Sequence, residues 1–402
     1  MAEVSVEEFL DTLEKSNLLS ETDVAHMTQL AGQLGSPESL AKHLISEGLL
    51  TRWQALQMLS GRYSFYLGRY KLLDRLGQGK YGIVFKAQQA AIGRIVALKV
   101  MSNKALAHPR AVARFEREIR VAATLDHPNI VKAYDAEQIG DTHFLVMEFV
   151  EGRDLKAWIS DFGRLPIDWT VDVILQGARA LEHAEVMGLV HRDIKPSNLM
   201  VTAADTSSRP MVKLLDMGLA RVVSPDGQHV ADRITKTGHV VGTVDFIAPE
   251  QIENSKSVDI RADIYGLGCT LFKAITGHVP FEGRSIPEKV LARMRGDAPL
   301  VRTLRTDVPE GLEEVIAKML ARDVNDRYQS PHEVIEALLP FSMSHSTPMD
   351  VVDMSADPTI AFRPKPNDRE RIDYLERTVA MLELRLAEVE QALHASRAKC
   401  ES

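Results

Sequence analysis

Cysteine is almost missing from this chain, which has only Cys269 and Cys400 in 402 residues. Two thiols cannot build a disulfide framework, so a reducing compartment suits the sequence. Long apolar runs are missing too. No window approaches 18 consecutive apolar residues, which excludes a membrane-spanning helix. The opening MAEVSVEEFL is acidic and lacks the basic-then-apolar order of an export signal. Nor is there an excess of positive charge. With 48 Lys and Arg against 56 Asp and Glu, the net charge is −8, which argues against a general nucleic-acid binder. These absences together predict a cytoplasmic protein. What is present is a 45% hydrophobic composition, enough for one large core with appendages.

Residues 1–66 read as helical and contain a short echo. LEKSNLLSETDVA (13–25) and LISEGLLTRWQA (44–55) share a turn residue, Leu-Leu and Ser/Thr, with Ser20 and Thr51 lying 31 positions apart. Ser20 and Thr51 have N-cap chemistry, and Gln54 completes a capping-box spacing after Thr51. Asn17 and Gly48 suit the ends of the preceding helices. The expectation is a small helical module that packs on something else. From Tyr70 the pattern turns to short β-type runs, YKLLDRL, GIVFKAQ, IVALKV and THFLVMEFV, bounded by Gly, Asn, Asp and Pro. Helical spacing dominates 166–189 and 259–340. Residues 341–367 hold four prolines among many Ser, Thr and Asp, and read as a flexible tether. Beyond it, Ile372, Leu375, Val379, Leu382, Leu386, Val389 and Leu393 recur at steps of three and four. That is a coiled-coil seam over 368–400, and a β-branched residue before Leu in the first two heptads favours two parallel strands.

LGQGKYGIVFKA (76–87) spaces its glycines as Gly77-x-Gly79-x-x-Gly82. A dinucleotide-binding turn has the same spacing but needs a helix directly afterwards. Here a strand follows, so the glycines belong to a hairpin able to lie over phosphates with its backbone N–H groups exposed. Lys99 then interrupts an apolar strand, where a lysine needs an anionic partner. Glu116 and Glu118, in the helical segment ARFEREIRVAATL, are candidates. VHRDIKPSNLM (190–200) crowds His191, Arg192, Asp193, Lys195 and Asn198 between apolar flanks.

Taken in order, Gly77–Gly82, VALK ending at Lys99, HRDIKPSN at 191–198, DMG at 216–218 and APE at 248–250 resemble the protein-kinase family. DIYGLG at 263–268 and Arg327 in NDRY extend the likeness, which runs over about 70–340 and is nearest to bacterial, eukaryotic-like (Hanks-type) Ser/Thr kinases. The resemblance implies an α+β, bilobal kinase fold with a small β-rich N-lobe and a larger helical C-lobe. To this the sequence adds the helical module 1–66, the linker 341–367 and the coiled coil 368–400.

By that resemblance the cofactors are ATP and Mg2+, and the reaction moves the γ-phosphoryl group onto Ser/Thr hydroxyls of proteins. Asp193 is the implied base, Asn198 and Asp216 the magnesium ligands, and Lys195 a neutraliser of the transferring group. Lys99, held by Glu118, clamps the α- and β-phosphates. Around the nucleotide stand Leu76, Gly77, Gln78, Gly79, Lys80, Tyr81, Gly82, Ile83 and Val84. Ala97 joins Val84 above the adenine, Met200 lies below it, and the hinge Met147–Val150 includes Glu148. Arg192 is implied to meet a phosphate on the activation segment 216–250, at Thr235 or Thr237, while Thr243 bridges Asp193 and Lys195. His191 reads as a packed structural ring.

Met217 stands where the family usually has Phe, and Ala122 is small for a residue expected to stack near it. The rival readings are a kinase-shaped scaffold acting through its coiled coil and helical module, and an enzyme for small-molecule hydroxyls. The first conflicts with the full set Lys99, Glu118, Asp193, Asn198 and Asp216; the second conflicts with GTVDFIAPE, which resembles a protein-docking platform. Protein substrates and a homodimer through 368–400 are the expected partners.

Overall fold

The computed structural model describes residues 4–79, 82–102, 124–203, 206, 208–217, 244–253 and 258–343. Glu116, Glu118, Ala122, Lys80, Tyr81, Gly218, Thr235, Thr237, Thr243 and the whole of 344–402 lie outside them. Residues 344–367 of the expected tether and the coiled-coil seam fall outside the described structure; 341–343 are no tether, because Phe341 and Met343 pack against the larger core and Ser342 is buried.

Four helices open the chain: α1 (Val6–Lys15), α2 (Glu21–Leu34), α3 (Pro37–Ser46) and α4 (Arg52–Met58). Each starts where a hydroxyl can accept a free backbone N–H, at Ser5, Ser20, Ser36 and Thr51. Such caps stabilise a helix by about 1 kcal/mol each. Helix ends fall where left-handed backbone is available, at Asn17, Gly35 and Gly48. Phe9, Leu13, Met27, Leu40, Leu44, Leu50 and Met58 pack into a core of their own.

A six-stranded sheet follows, in spatial order β1-β2-β3-β4-β6-β5. The strands are β1 (Tyr66–Leu67), β2 (Tyr70–Gly79), β3 (Gly82–Gln89), β4 (Ile95–Met101), β5 (Ala133–Ile139) and β6 (Thr142–Glu148). Register decides what each face carries, because side chains alternate along a strand and directly opposed residues share a face. Val84 opposes Lys99, Lys99 opposes Leu145 and Ala97 opposes Met147, so these five point one way. Phe85, Val96, Leu98, Phe144 and Val146 point the other way and form a small core with Tyr70 and Ala87. Trp53 of α4 reaches this second face, with its ring 5.8 Å from that of Phe85. The N-terminal helices thus back the sheet on the side opposite Lys99.

The larger core belongs to the helices α5 (Leu155–Phe162), α6 (Ile167–Val186), α7 (Pro249–Glu253), α8 (Ile260–Thr276), α9 (Ile286–Arg295), α10 (Glu310–Met319) and α11 (Pro331–Leu338). α8 is apolar almost all round and is buried along nearly its whole length, as the axis of a bundle should be. On top of the bundle lies a short sheet of β7 (Arg153–Asp154), β8 (Leu199–Thr202) and β9 (Met211–Leu214).

Candidate active site

The cleft chemistry starts from β8 and β9. Leu199 opposes Leu214, and the Leu215 N–H donates to the Asn198 carbonyl at 2.9 Å. This antiparallel pairing brings the loop 191–198 against residues 215–217, which are distant in sequence. Both segments contain a non-glycine residue in left-handed backbone, Arg192 at φ 66° and Asp216 at φ 58°. Such conformations cost on the order of 1 kcal/mol or more and persist where the surroundings impose them.

Those surroundings are visible. Asp263, buried in α8, accepts the backbone N–H groups of His191 and Arg192 at 2.6 Å each. Burial pushes its carboxyl up to about 6, against the pull of nearby His191 and the two N–H groups. The His191 Nδ1 accepts the Asp193 N–H at 3.2 Å, so the ring proton sits on Nε2, which donates to the Leu215 carbonyl at 2.8 Å. His191 is buried, and both its nitrogens hold backbone in place. Gln251 of α7 donates to the Arg192 carbonyl at 3.0 Å and accepts the Ala248 N–H, tying the APE stretch to the same loop.

On this frame Lys195 Nζ lies 2.7 Å from Asp193 Oδ2. Asn198 Nδ2 donates to the Asp193 carbonyl at 2.8 Å and to its Oδ2 at 3.3 Å. Lys99 crosses from the upper sheet to Asp216 Oδ1 at 2.7 Å, with the lysine 5% exposed. Burial alone would raise the Asp216 carboxyl; the Lys99 charge and hydrogen bond outweigh it and hold the group below its ordinary value. Two side-chain groups result, Lys99 with Asp216 and Asp193 with Lys195 and Asn198; the Leu215 N–H bond to the Asn198 carbonyl brings their backbones together, and the Lys195 charge also helps to lower the Asp216 carboxyl. Glu118, the expected partner of Lys99, lies outside the described residues; Asp216 is the partner the structure shows.

The donor set suits a hard cation. Asn198 spends its amide nitrogen on Asp193, which leaves its carbonyl oxygen, and Asp216 has a second carboxylate oxygen beyond the one on Lys99. Two oxygen ligands match magnesium, which fills its octahedron with waters and phosphate oxygens.

The nucleotide-lining candidates fall on the same side. Val84, Ala97, Met147 and Lys99 share one face of the upper sheet, and Met200 stands half-buried on β8. In the glycine hairpin Gly77 opposes Val84, Gln78 opposes Ile83 and Gly79 opposes Gly82. Gly82 is required by close approach, since a Cβ there would lie 1.8 Å from the Val100 carbonyl oxygen. Leu76 is half exposed at the rim. The Glu148 side chain turns to Lys213 at 2.7 Å, and its N–H donates to the Lys132 carbonyl at 2.9 Å. Val150 follows as the hinge enters the lower lobe. Met217 is 7% exposed and belongs to the lower core. Arg192 donates to the Val258 carbonyl at 3.2 Å among its interactions.

Two partnerships escape a reading of the sequence, although the residues lie in the stretches singled out there. Asp263 is recognisable only as a carboxylate opening an apolar helix, a signal that names no partner. Glu250 of APE meets the buried Arg327 through both oxygens, at 2.7 and 2.9 Å, across a separation of 77 residues.

The chain matches the protein kinase domain family over residues 70–338. It is 32% identical over 271 residues to a probable serine/threonine-protein kinase PknB of Lactococcus lactis, covering 67% of this chain and 41% of that protein. Identity is 33% to the serine/threonine-protein kinase PrkC of Bacillus subtilis, over 66% of this chain and 39% of that one. For PknD of Mycobacterium tuberculosis it is 36%, over 65% and 38%. The chain therefore spans about two fifths of the length of these relatives. The crystal structure of the Mycobacterium tuberculosis PknI kinase domain superposes with a TM-score of 0.53 at 26% identity, over 69% of this chain and 98% of that one.

Proposed function

Because this chain belongs to the protein kinase family, we propose that its cleft transfers the γ-phosphoryl group of ATP to Ser/Thr hydroxyls of proteins. The observation that supports this is that Lys99 of the upper sheet pairs with Asp216, whose neighbour Leu215 bonds the loop in which Lys195 and Asn198 hold Asp193. Phosphoryl transfer asks for charge neutralisation and in-line positioning more than covalent help. Asp193 accepts the proton of the attacking hydroxyl, in reach because His191 and Asn198 fix its backbone. Lys195, 2.7 Å from that carboxylate, offsets charge on the transferring group. Lys99 holds the α- and β-phosphates, and the Gly77–Gly82 hairpin presents N–H groups from above, with Val84, Ala97, Met147, Glu148, Val150 and Met200 around the base. Asn198 and Asp216 are the residues that would hold magnesium, which would supply charge compensation for the phosphates.

The KPSN form of the loop and the relatives named above support Ser/Thr over tyrosine as acceptor. Arg192 favours activation by a phosphate on Thr235 or Thr237, with Thr243 bridging Asp193 and Lys195, and Glu118 joining Lys99. We further read 1–66 as a helical module, 344–367 as a tether and 368–400 as a homodimeric coiled coil in a cytoplasmic protein. The test is to incubate full-length protein with Mg-ATP and a protein substrate and to map the phosphorylated sites. Asp193→Asn should lower transfer by a factor on the order of 10² to 10⁴, the range for losing a positioned base. Transfer to tyrosine alone, or near-normal turnover in Asp193→Asn, would sink the reading.

A further inference from the structure

The N-terminal helices touch the upper sheet where its ladder is irregular. β2 pairs with β3 in register except for slips between Leu72 and Asp74 and between Arg75 and Gly77. A slip leaves an extra residue outside the ladder and increases the local twist. At the first slip the carbonyls are met from outside the sheet. Thr51 Oγ1 donates to the Leu73 carbonyl at 2.6 Å, and Gln54 Nε2 donates to the Leu72 carbonyl at 2.7 Å.

Both donors are themselves immobilised. Thr51 Oγ1 accepts the Gln54 N–H at 3.1 Å, and Gln54 Oε1 accepts the Thr51 N–H at 2.9 Å, which makes a reciprocal capping box. Each side chain therefore accepts from its own helix and donates to the strand. Gln54 is 1% exposed, so if the contact with the Leu72 carbonyl is lost its own amide N–H has little access to water as a replacement. Between them Trp53 packs 5.8 Å from Phe65 and 5.8 Å from Phe85. Phe85 opposes Arg75 on β2, three positions after Gly82.

One helical turn thus grips both arms of the hairpin that carries Gly77, Gly79 and Gly82, β2 through two hydrogen bonds and β3 through an aromatic contact. Among the described residues of the hairpin, a Cβ at Gly77 or Gly79 would meet nothing within 4 Å, so β2 is not packed from outside at these two positions.

We propose that Thr51, Trp53 and Gln54 are positioning residues for the nucleotide: by fixing the β2 slip from behind, they set the height of the glycine hairpin over the phosphates. The proposal rests on reading that hairpin as the phosphate cover, and it makes the N-terminal helices a working part of the ATP site. The experiment compares full-length wild type, Thr51→Val, Gln54→Leu and Thr51→Ser. Initial rates are measured across Mg-ATP concentrations, with thermal unfolding recorded in parallel. Losing one hydrogen bond should raise the KM for ATP roughly 3- to 10-fold in Thr51→Val and Gln54→Leu with kcat within about twofold. Thr51→Ser, which keeps the donor, should retain the wild-type KM. Folded variants with an unchanged KM and only a lower unfolding temperature would overturn the proposal and leave the helices as passive support. If Gln54→Leu does not fold, Thr51→Val against Thr51→Ser decides alone. A wild type that binds nucleotide without transferring phosphate would instead defeat the functional reading, and direct ATP titration of the same variants would still decide the positioning role.

Discussion

Asp263 accepts two backbone N–H groups of the catalytic loop at 2.6 Å each, and its carboxyl is pushed up to about 6 by burial. Its ordinary value is 3.8, so between that and about 6 the folded chain holds this proton better than the unfolded one. In that window its contribution to stability declines as pH rises, and it is fully present only below the unfolded value. Function runs the other way, because the ionised group accepts strongly from both His191 and Arg192, whereas protonation turns one oxygen into a weakly accepting hydroxyl. The expected outcome is a kcat that falls as pH drops through about 6. Asp263→Asn keeps a single acceptor oxygen and should lower kcat at neutral pH roughly tenfold or more, about the cost of one unmet buried N–H. If the acid limb near 6 survives in Asp263→Asn, it belongs to another group.

Among the elements, the pairing of α7 with the loop before α11 shows what could and could not be read from sequence. Arg327, 2% exposed, meets Glu250 through both oxygens, donates to the Ala321 and Arg322 carbonyls, and stacks over Tyr265 at 4.7 Å. Arg327→Met should destabilise the protein by about 3–5 kcal/mol, since it strands a carboxylate beside the core; Glu250→Gln with Arg327→Met together should recover part of this in a denaturant titration. The motif residues themselves were legible, while their partnership, 77 positions apart, was not. The same holds for Thr51 and Gln54. Their capping box follows from a three-residue spacing, whereas their bonds to β2 reach 22 and 18 positions onward, where no periodicity points. The strands carrying Lys99 and the glycines could be read because apolar residues and turn formers mark them. β5, AYDAEQI, is polar and largely exposed, and β7 to β9 run two to four residues, too short for a period to register.

For the whole molecule, the kinase body and its helical backing form the described part, and the seam from Ile372 to Leu393 lies beyond it. The tether proposed over 344–367, as a flexible chain, would span roughly 25–30 Å root-mean-square. Two bodies so joined would see each other at an effective concentration on the order of millimolar, which favours phosphorylation between partners. Replacing Leu375 and Leu382 by Glu should therefore slow autophosphorylation several-fold at low protein concentration and leave the KM for ATP unchanged, with sizing shifting from dimer to monomer. An unaltered size in both forms removes the mechanism. A last consequence follows from Lys99 and Asp216, opposite charges closed on one another at 2.7 Å. A lone anion that captures the lysine abandons the carboxylate, and a lone cation does the reverse. The clasp opens cheaply only for a visitor bearing both signs, so nucleotide affinity should drop steeply when a chelator strips divalent ions from the titration.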